Sequence, residues 1–417
     1  MPWKEMCALD ERVRFVVEYD LNELTMAELC RKYGISRKTG YKWVGRVDES
    51  GLTGLGDRSR APHCHPNQIC AELEAGIVAA RHRHPTWGPR KLREILEWQP
   101  SPAASTIGGV LQRVGLVVPR KVRRRVPPQE QPFALCGQPN AVWCADFKGW
   151  FRTGDGLRCD PLTLSDGYSR FLLRCQVVPN QAHVWVRSVF EAAFREYGLP
   201  GAIRTDNGSP FATRALAGLS ALSVWWIKLG IVVERIEAGQ PQQNGRHERM
   251  HRTLKEETAQ PPASNGRAQQ RRFDRFRQEF NLERPHEALG MRTPGSVYSP
   301  SARGYPSREP ELRYPDGWDV RKVMNKGHFY WRHREVFLTE VLSGEVIGLE
   351  PVDDRYRWVW FGPVALGVLD LHVRHMLTGA QRRHLGLELG SAGVGKLPSA
   401  ALQEASPPPK VLPMCPV

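Results

Sequence analysis

The order of strand-like and helix-like segments between residues 140 and 258 constrains the fold more than any other feature of this chain. Three runs rich in strand-forming residues, at 141–151, 157–170 and 171–179, are separated by tight turns and predict a meander. Helix and strand patterns then alternate through 181–198, 200–211, 214–230, 231–236 and 244–258. The order β-β-β-α-β-α-β-α predicts an α/β layer with a mixed sheet. The first of these helices should bury most of its apolar side chains, namely Val184, Val186, Val189, Phe190, Ala193 and Phe194.

Residues 1–60 carry the pattern of a helix-turn-helix domain. Thr25 and Glu28 form a capping box, and Ser36 caps the following helix. That helix directs four side chains outward, which are Arg37, Lys38, Tyr41 and Lys42. It could enter a DNA major groove, although any small three-helix bundle with a basic face fits the same pattern. Gly40 weakens the prediction, because glycine inside a helix costs about 1 kcal/mol relative to alanine.

Residues 66–118 predict a second helix-turn-helix-like domain. Ser105 and Thr106 can begin a helix that Gly115 ends, with an apolar face formed by Ile107, Val110, Leu111 and Val114. A basic, proline-rich linker follows at 119–139, where Arg123, Arg124 and Arg125 are candidates for contacts with DNA phosphates.

The rest of the chain divides into a catalytic core, a β domain and a tail. The α/β layer predicts a core domain over residues 140–304. Short strands between 312 and 375 predict a small β-barrel-like domain, bounded at 305–375. The composition of 391–417 predicts a disordered tail. The fold class is therefore multidomain: N-terminal all-α modules, a central α/β core and a small C-terminal β domain.

The charge of the chain indicates an acidic partner. A net charge of +15 and a pI of about 9.6 favour nucleic acid first and an anionic membrane surface second. No apolar run approaches the roughly 18 residues of a membrane-spanning helix. The first residues are charged where a signal peptide needs an apolar segment. We therefore expect a cytoplasmic, nucleoid-associated protein without a membrane partner.

Three acidic residues are candidates for chemistry. Asp146 lies inside an apolar strand pattern, where a carboxylate is costly unless something pairs with it. Asp206 follows a short strand, at the kind of edge where α/β proteins form sites, although an ordinary turn residue fits as well. Glu248 points away from Met250 and Leu254, the predicted buried stripe of its helix. Alone, Glu248 could be an exposed residue paired with Arg252, worth about 0.3 kcal/mol.

Together the three acids suit two Mg²⁺ ions. Mg²⁺ prefers carboxylates, water and phosphate oxygens. Two ions roughly 3.5–4 Å apart stabilise the attacking and leaving oxygens of a displacement at phosphorus. The bases around Glu248, including His247 and His251, are then expected to hold phosphates, with four cations as the DNA-binding candidates: Arg246, Arg249, Arg252 and Lys255.

The motifs "VWCADFKGWF", "RTDNGSPF", "GQPQQNGRHERMHRTLK" and "ERPHEALGMRTPGSVYSPSARGYP" resemble those of insertion-sequence transposases in the retroviral integrase (DDE) superfamily. Asp206 follows Asp146 by 60 positions, and Glu248 follows Asp206 by 42. The resemblance covers nearly all of residues 10–370. It implies an RNase H-like core in which Asp146, Asp206 and Glu248 are the catalytic, metal-binding triad. The zinc-binding N-terminal domain of the retroviral members is not visible, and helix-turn-helix patterns occupy its place.

The resemblance implies a DNA transposase that cleaves element ends and transfers a 3′-OH into target DNA. It also implies two Mg²⁺ ions, with Mn²⁺ as a substitute, and double-stranded DNA partners in the form of terminal inverted repeats and target. A homo-oligomer is expected, because two ends must be held together. Two alternatives stay open at this point: a sequence-specific DNA-binding regulator with a non-catalytic core, and an RNase H-type nuclease.

Overall fold

The computed structural model describes residues 7–59, 69–117, 136–147, 149–213, 215–236 and 245–387. The chain divides into two compact units, Met1–Cys70 and Ala71–Val417. The predictions for Arg123, Arg124 and Arg125, for the side chain of Arg246 and for residues 391–417 lie outside the described residues.

The first unit contains the three predicted helices, α1 (Ala8–Asp20), α2 (Met26–Lys32) and α3 (Arg37–Ser50). The predicted capping box is confirmed, because the Thr25 N–H and hydroxyl both donate to the Glu28 carboxylate, at 2.9 and 2.6 Å. Ser36 accepts a hydrogen bond from the Thr39 N–H at 3.2 Å and so caps α3. These local signals fix where both helices begin.

Gly40 lies where α3 packs against α1 and α2. A Cβ atom placed on Gly40 would lie 2.7 Å from Cys30 Sγ, 2.8 Å from Met26 Sδ and 3.0 Å from Phe15 Cζ. The glycine that weakened the helix prediction is therefore what allows the close helix contact. Its loss of helix propensity is offset by packing around the buried Trp43.

The second unit begins with α4 (Ala71–Arg83), α5 (Pro89–Ile95) and α6 (Ala104–Arg113), the second helical module. Ile107, Val110 and Leu111 are buried as predicted. The prediction for Val114 is wrong: the helix ends at Arg113, and Val114 is exposed. Gly115 has a φ of +70°, which fits its predicted place after the helix.

The central sheet is mixed, as predicted. It contains β1 (Val142–Phe147), β2 (Phe151–Arg152), β3 (Arg158–Asp166), β4 (Leu172–Val178), β5 (Ala202–Thr205) and β6 (Val232–Arg235). Strands β1, β3 and β4 form an antiparallel meander, while β5 and β6 run parallel to β1, giving the order β4-β3-β1-β5-β6. Short β2 pairs with β3. This topology is that of an RNase H-like layer.

Helices cover both faces of the sheet. These are α7 (His183–Tyr197), α8 (Ala221–Lys228), α9 (Gly245–Thr258) and α10 (Gly266–Leu282). On one face Trp143 packs in a cluster with Phe190 of α7 and Trp226 of α8. On the other, Met250 of α9 packs with Phe273 of α10. Val184 is 66% exposed, contrary to prediction, because at about 100° per residue it lies on the side of α7 opposite the buried Val186 and Phe190.

The C-terminal region is β-rich, as predicted. Its elements are β7 (Asp319–Lys322), β8 (His328–Trp331), β9 (Arg334–Phe337), β10 (Val346–Pro351), β11 (Tyr356–Phe361), β12 (Val364–Asp370), β13 (His375–Met376) and α11 (Gly379–His384). Five strands form an antiparallel sheet in the order β13-β12-β11-β10-β7, and β8 pairs with β9 as a hairpin. Val224 and Ile227 of α8 belong to the apolar cluster of this sheet, so the C-terminal sheet and the catalytic layer share a core.

No helix in the part of the chain that the structure describes is long and apolar enough to cross a membrane.

Candidate active site

Asp146 lies near the end of β1, directly opposite Thr163 of β3. Neighbouring residues Trp143 and Ala145 pack into the cluster with α7 and α8. Because side chains alternate along a strand, Asp146 is directed to the other face, toward α9. Its side chain is 18% exposed, so the carboxylate lies at the boundary between the core and solvent.

Asp206 lies at the same edge of the sheet as Asp146. The parallel register of β1 and β5 pairs Val142 with Ala202 and Cys144 with Arg204. The same offset, carried one residue beyond the end of β5, puts Asp206 level with Asp146. Strands in a sheet lie about 4.8 Å apart, so this offset predicts that the backbones of the two residues lie close together.

The turn after Asp206 is fixed to the next strand. Asn207 donates from Nδ2 to the carbonyl of Ile236 at 2.8 Å, and the Ile236 N–H donates to the carbonyl of Thr205 at 3.2 Å. Below the turn, Arg204 Nε donates to the Glu234 carboxylate at 2.9 Å across β5 and β6. These bonds hold the backbone that carries Asp206, while its side chain stays exposed.

Glu248 is exposed on α9, as predicted. Met250 and Leu254 are buried, which confirms the predicted stripe. The expectation that His247 and His251 face phosphates is wrong, since they are 4% and 5% exposed and belong to the buried side of α9. They are spaced four residues apart, so both point from one face of the helix toward β3.

Thr163 joins α9 to the sheet beside Asp146. Its hydroxyl donates to the main-chain carbonyl of Asp146 at 3.1 Å. It also lies 2.7 Å from Nε2 of both His247 and His251. On the far side of the second ring, His251 Nδ1 lies 3.9 Å from Asp146 Oδ2. These contacts place α9, and therefore Glu248, against the strand that carries Asp146.

Burial changes the proton affinity of the helix side chains. Desolvation lowers the pKa of His247 to about 4, so its ring is neutral at pH 7. Ser165 Oγ lies 3.3 Å from its Nδ1. His247 therefore acts as a neutral, hydrogen-bonded contact between α9 and β3, and it adds no positive charge to the surface.

The acidic residues fit a divalent metal by donor type. All three are carboxylates, and oxygen donors are what Mg²⁺ and Mn²⁺ favour. Within the described ranges, no three His, Cys, Asp or Glu side chains are grouped closely enough to hold an ion. Asp206 and Glu248 are exposed and Asp146 is partly exposed, so solvent reaches all three carboxylates.

Family models cover both halves of this architecture. Two models described as an integrase core domain match residues 137–241 and 229–294. A helix-turn-helix domain matches residues 11–63, and a homeodomain-like domain matches 39–111. The first pair spans the sheet and α9, and the second pair spans the N-terminal helices.

Two curated relatives come from insertion elements. The chain is 29% identical over 233 residues to the uncharacterized 31.7 kDa protein of insertion element IS407 from Burkholderia multivorans, covering 55% of this chain and 80% of that protein. It is 27% identical over 232 residues to the uncharacterized 39.2 kDa protein of insertion element IS476 from Xanthomonas euvesicatoria, covering 55% and 65%. Together, the integrase core and helix-turn-helix matches and these two relatives support an insertion-sequence transposase of the retroviral integrase superfamily.

The same matches support polynucleotidyl transferase activity in DNA transposition or integration, and they bear out the resemblance noted in the motifs. Among solved structures, the chain is similar to the HTLV-2 integrase catalytic core domain in complex with magnesium. The identity is 16% and the TM-score 0.31, with 39% of this chain and 98% of that chain covered.

The transposase exposes most of its predicted DNA-binding side chains. Arg37, Lys38, Tyr41 and Lys42 are all exposed on the first two turns of α3. On α9, three predicted cations are exposed at intervals of three residues, namely Arg249, Arg252 and Lys255. DNA contact at these positions remains a prediction.

Sequence reasoning missed a set of contacts between the second helical module and the catalytic helices. Thr86 of this module donates to the Glu257 carboxylate of α9, which also accepts at 2.8 Å from Arg284, a core residue just after α10. His84 Nδ1 lies 3.1 Å from Glu279 Oε1 of α10. The transposase therefore holds this module against the helix that carries Glu248.

Some of the missed residues carried a signal in the sequence. Thr163 is a hydroxyl between two leucines in "PLTLSD", and His247 and His251 are four apart in "HERMH". Polar residues on a buried face need hydrogen-bond partners. The threonine and the two histidines could therefore have been predicted to bond to one another. The contacts of Arg284, Glu257 and Thr86 join distant segments, and no local pattern marks them.

Proposed function

We propose that the chain is a DNA transposase that cleaves at the ends of its element and joins the freed 3′-OH to target DNA. The observation that carries this proposal is the register of β1 and β5, which brings Asp146 and Asp206 to one level. The contacts of α9 with Thr163 support it, because they set the helix of Glu248 beside the same strand.

Asp146, Asp206 and Glu248 are the proposed ligands of two Mg²⁺ ions, for which Mn²⁺ can substitute. Such ions supply an activated nucleophile and stabilise negative charge on the oxygens of an in-line displacement at phosphorus. Asp146 and Asp206, fixed by neighbouring strands, would hold the shared position. Glu248, exposed on a helix, would complete the set.

The exposed cations have a role in holding the substrate. Arg249, Arg252 and Lys255 lie on the helix of Glu248, so they can neutralise DNA phosphates that a carboxylate cluster would repel. The first two turns of α3 would read the terminal inverted repeats in a major groove. Two ends have to be joined in one event, so we propose a homo-oligomer on DNA, associated with the nucleoid.

The test is cleavage and strand transfer by the purified full chain on labelled DNA. The DNA that flanks the gene is searched for inverted repeats, which would supply the substrate. Glu248→Gln keeps the size of the side chain and removes its charge. Losing one metal ligand costs several kcal/mol, so strand transfer should fall about a thousandfold or more, while binding to the repeats is retained.

Glu256→Gln is the matched control, because Glu256 is also exposed on α9 and lies eight residues after Glu248. It should leave strand transfer unchanged. Specific binding with no Mg²⁺-dependent cleavage by the unmodified chain would instead indicate a DNA-binding regulator. Preferential digestion of RNA–DNA hybrid would indicate an RNase H-type nuclease.

A further inference from the structure

The buried contact between α9 and β3 changes character along the helix. Toward its C-terminal half, Leu254 packs in an apolar cluster with Phe273 and Phe276. Beside Asp146 the contact is polar, made by His247, His251 and Thr163. On β3, Cys159 lies on the same face as Thr163 and belongs to that apolar cluster. Polar contacts in this buried interface are thus concentrated next to the candidate metal site.

The Thr163 hydroxyl has a defined bonding pattern. It has one hydrogen and two acceptor lone pairs. Its hydrogen goes to the carbonyl of Asp146, which can only accept. Both imidazoles must therefore donate from Nε2–H, and the hydroxyl is then fully bonded. A hydroxyl with all three positions used admits one arrangement of its neighbours, whereas apolar packing tolerates sliding.

This arrangement fixes Glu248 through the backbone. Glu248 directly follows His247 in the helix. The bond of His247 to Thr163 therefore sets how α9 is rotated about its axis at that point and how far it lies from the sheet. The bond of His251 one turn later removes the remaining freedom to tilt. The same hydroxyl holds the carbonyl of Asp146. One oxygen atom thus connects the backbone of the first acid with the helix of the third.

We infer that Thr163, with His247 and His251, is a positioning unit that sets the distance between Asp146 and Glu248 for metal binding. The inference rests on the proposed function of these acids as metal ligands. The three residues touch neither DNA nor the ion in this role. They act by holding the backbone from which two ligands extend. In other metal sites, removing a hydrogen-bonded partner of a metal ligand lowers metal affinity by about 10–100-fold.

The experiment measures Mn²⁺ binding by the full chain, using electron paramagnetic resonance of free Mn²⁺, together with strand transfer. Thr163→Val keeps the shape of the side chain and removes the hydroxyl. We expect its Mn²⁺ dissociation constant to rise about tenfold or more, with faster amide hydrogen exchange in residues 245–251. Thr163→Ser keeps the hydroxyl and should stay within about twofold of the unmodified chain.

Thr258→Val is the matched control. Thr258 is buried on the same helix and donates to the carbonyl of Leu254 at 2.6 Å, but it lies ten residues from Glu248. It loses the same chemical group and should leave Mn²⁺ affinity unchanged. Equal weakening by both valine substitutions would show a general loss of stability and overturn the inference.

A second pair of variants tests the unit from the helix side. Gln can place an N–H near the position of His Nε2, so His251→Gln should retain most Mn²⁺ affinity. His251→Leu fills the space without a donor and should lose it, which keeps the inference testable if Thr163→Val does not fold. Unmodified affinity in both Thr163→Val and His251→Leu would overturn the inference. If the unmodified chain neither binds Mn²⁺ nor transfers strands, the proposed function itself fails.

Discussion

Asp146, near the end of β1, and Asp206, one residue beyond the end of β5, follow the constant offset of 60 residues at which these two strands pair. The same 60 positions separate the two acids in the sequence. The spacing between the two acids therefore equals the offset between the paired strands. The residues between the acids form β3, β4 and α7. Changes in the loops would alter the numbering but leave the alignment of the acids intact.

The alignment predicts a shared effect of the two acids on metal-linked stability. An ion that binds only the folded chain adds about 2.7 kcal/mol at a hundredfold excess over its dissociation constant. Asp146→Asn and Asp206→Asn should each remove most of the Mn²⁺-induced rise in melting temperature. Asp316→Asn, an exposed change in the C-terminal region, is the control. A rise that persists in both variants would place the ion elsewhere.

The exposed face of α3 predicts how binding to terminal repeats depends on salt. Replacing Arg37, Lys38 or Lys42 with Ala should each reduce the slope of log affinity against log salt by about one, if the side chain neutralises one phosphate. Tyr41→Ala should weaken binding without that change in slope, since it removes no charge. Arg14→Ala on α1 is a matched exposed-cation control. Fluorescence anisotropy at several salt concentrations measures all five variants.

Two glycines of α3 predict opposite effects of the same substitution. Gly40→Ala introduces a Cβ that meets Cys30 and Met26, so it should destabilise the first unit by about 1–3 kcal/mol. At Gly45 an added methyl group would have no heavy atom within 4 Å, so Gly45→Ala should stabilise by up to about 1 kcal/mol through helix propensity. Amide hydrogen exchange of residues 26–50 reports both. A stabilising Gly40→Ala would contradict the close packing.

The contact between Arg284 and Glu257 predicts a cost for removing one partner. Their side chains are 7% and 18% exposed, so Arg284→Met leaves a largely buried carboxylate without its cation. We expect a loss of about 2 kcal/mol in unfolding free energy, measured with urea. Adding Glu257→Gln should recover part of it, because the two positions are coupled. Arg195→Met breaks an exposed pair on α7 and should cost about 0.5 kcal/mol or less.

His286 predicts acid sensitivity. Burial, and then the nearby charges of Lys91 and Arg284, lower its pKa to about 3 from an ordinary value near 6.5. Between these values the unfolded chain takes up a proton that the folded chain does not, so stability falls as pH falls below about 6.5. The slope for one proton is about 1.4 kcal/mol per pH unit.

The matching variant is His286→Gln, which cannot take up that proton. The drop in unfolding free energy from pH 7 to pH 5 should be about 2 kcal/mol smaller in this variant than in the unmodified chain. Urea unfolding at the two pH values gives the difference. An unchanged drop would mean that His286 is protonated in the folded state.

Local signals predicted much of the fold. Thr25, Glu28 and Ser36 each bond within three residues, so their effect on helix starts is contained in the sequence around them. The order of strands and helices also followed from local patterns. Gly40 shows the limit, because its packing against Cys30 joins two helices, and helix propensity alone predicts only its cost.

The candidate site was partly predictable for the same reason. The three acids could be selected because a carboxylate in an apolar strand, at a strand end or amid bases is locally unusual. The directions of His247 and His251 could not, because charge pattern predicts solvent exposure, and the partner that buries them lies 84 and 88 residues away at Thr163. The docking of the second helical module on α9 is a contact between distant segments of the same kind.

The shared core of α8 and the C-terminal sheet determines where the catalytic region can be cut. A fragment that ends at residue 304 would keep Val224 and Ile227 but lack the strands that cover them. Such a fragment would expose an apolar patch to solvent and tend to aggregate. A stable catalytic fragment therefore has to extend through β13. The catalytic layer and the C-terminal sheet meet at a shared layer of packed side chains, so no cut between them leaves both surfaces polar.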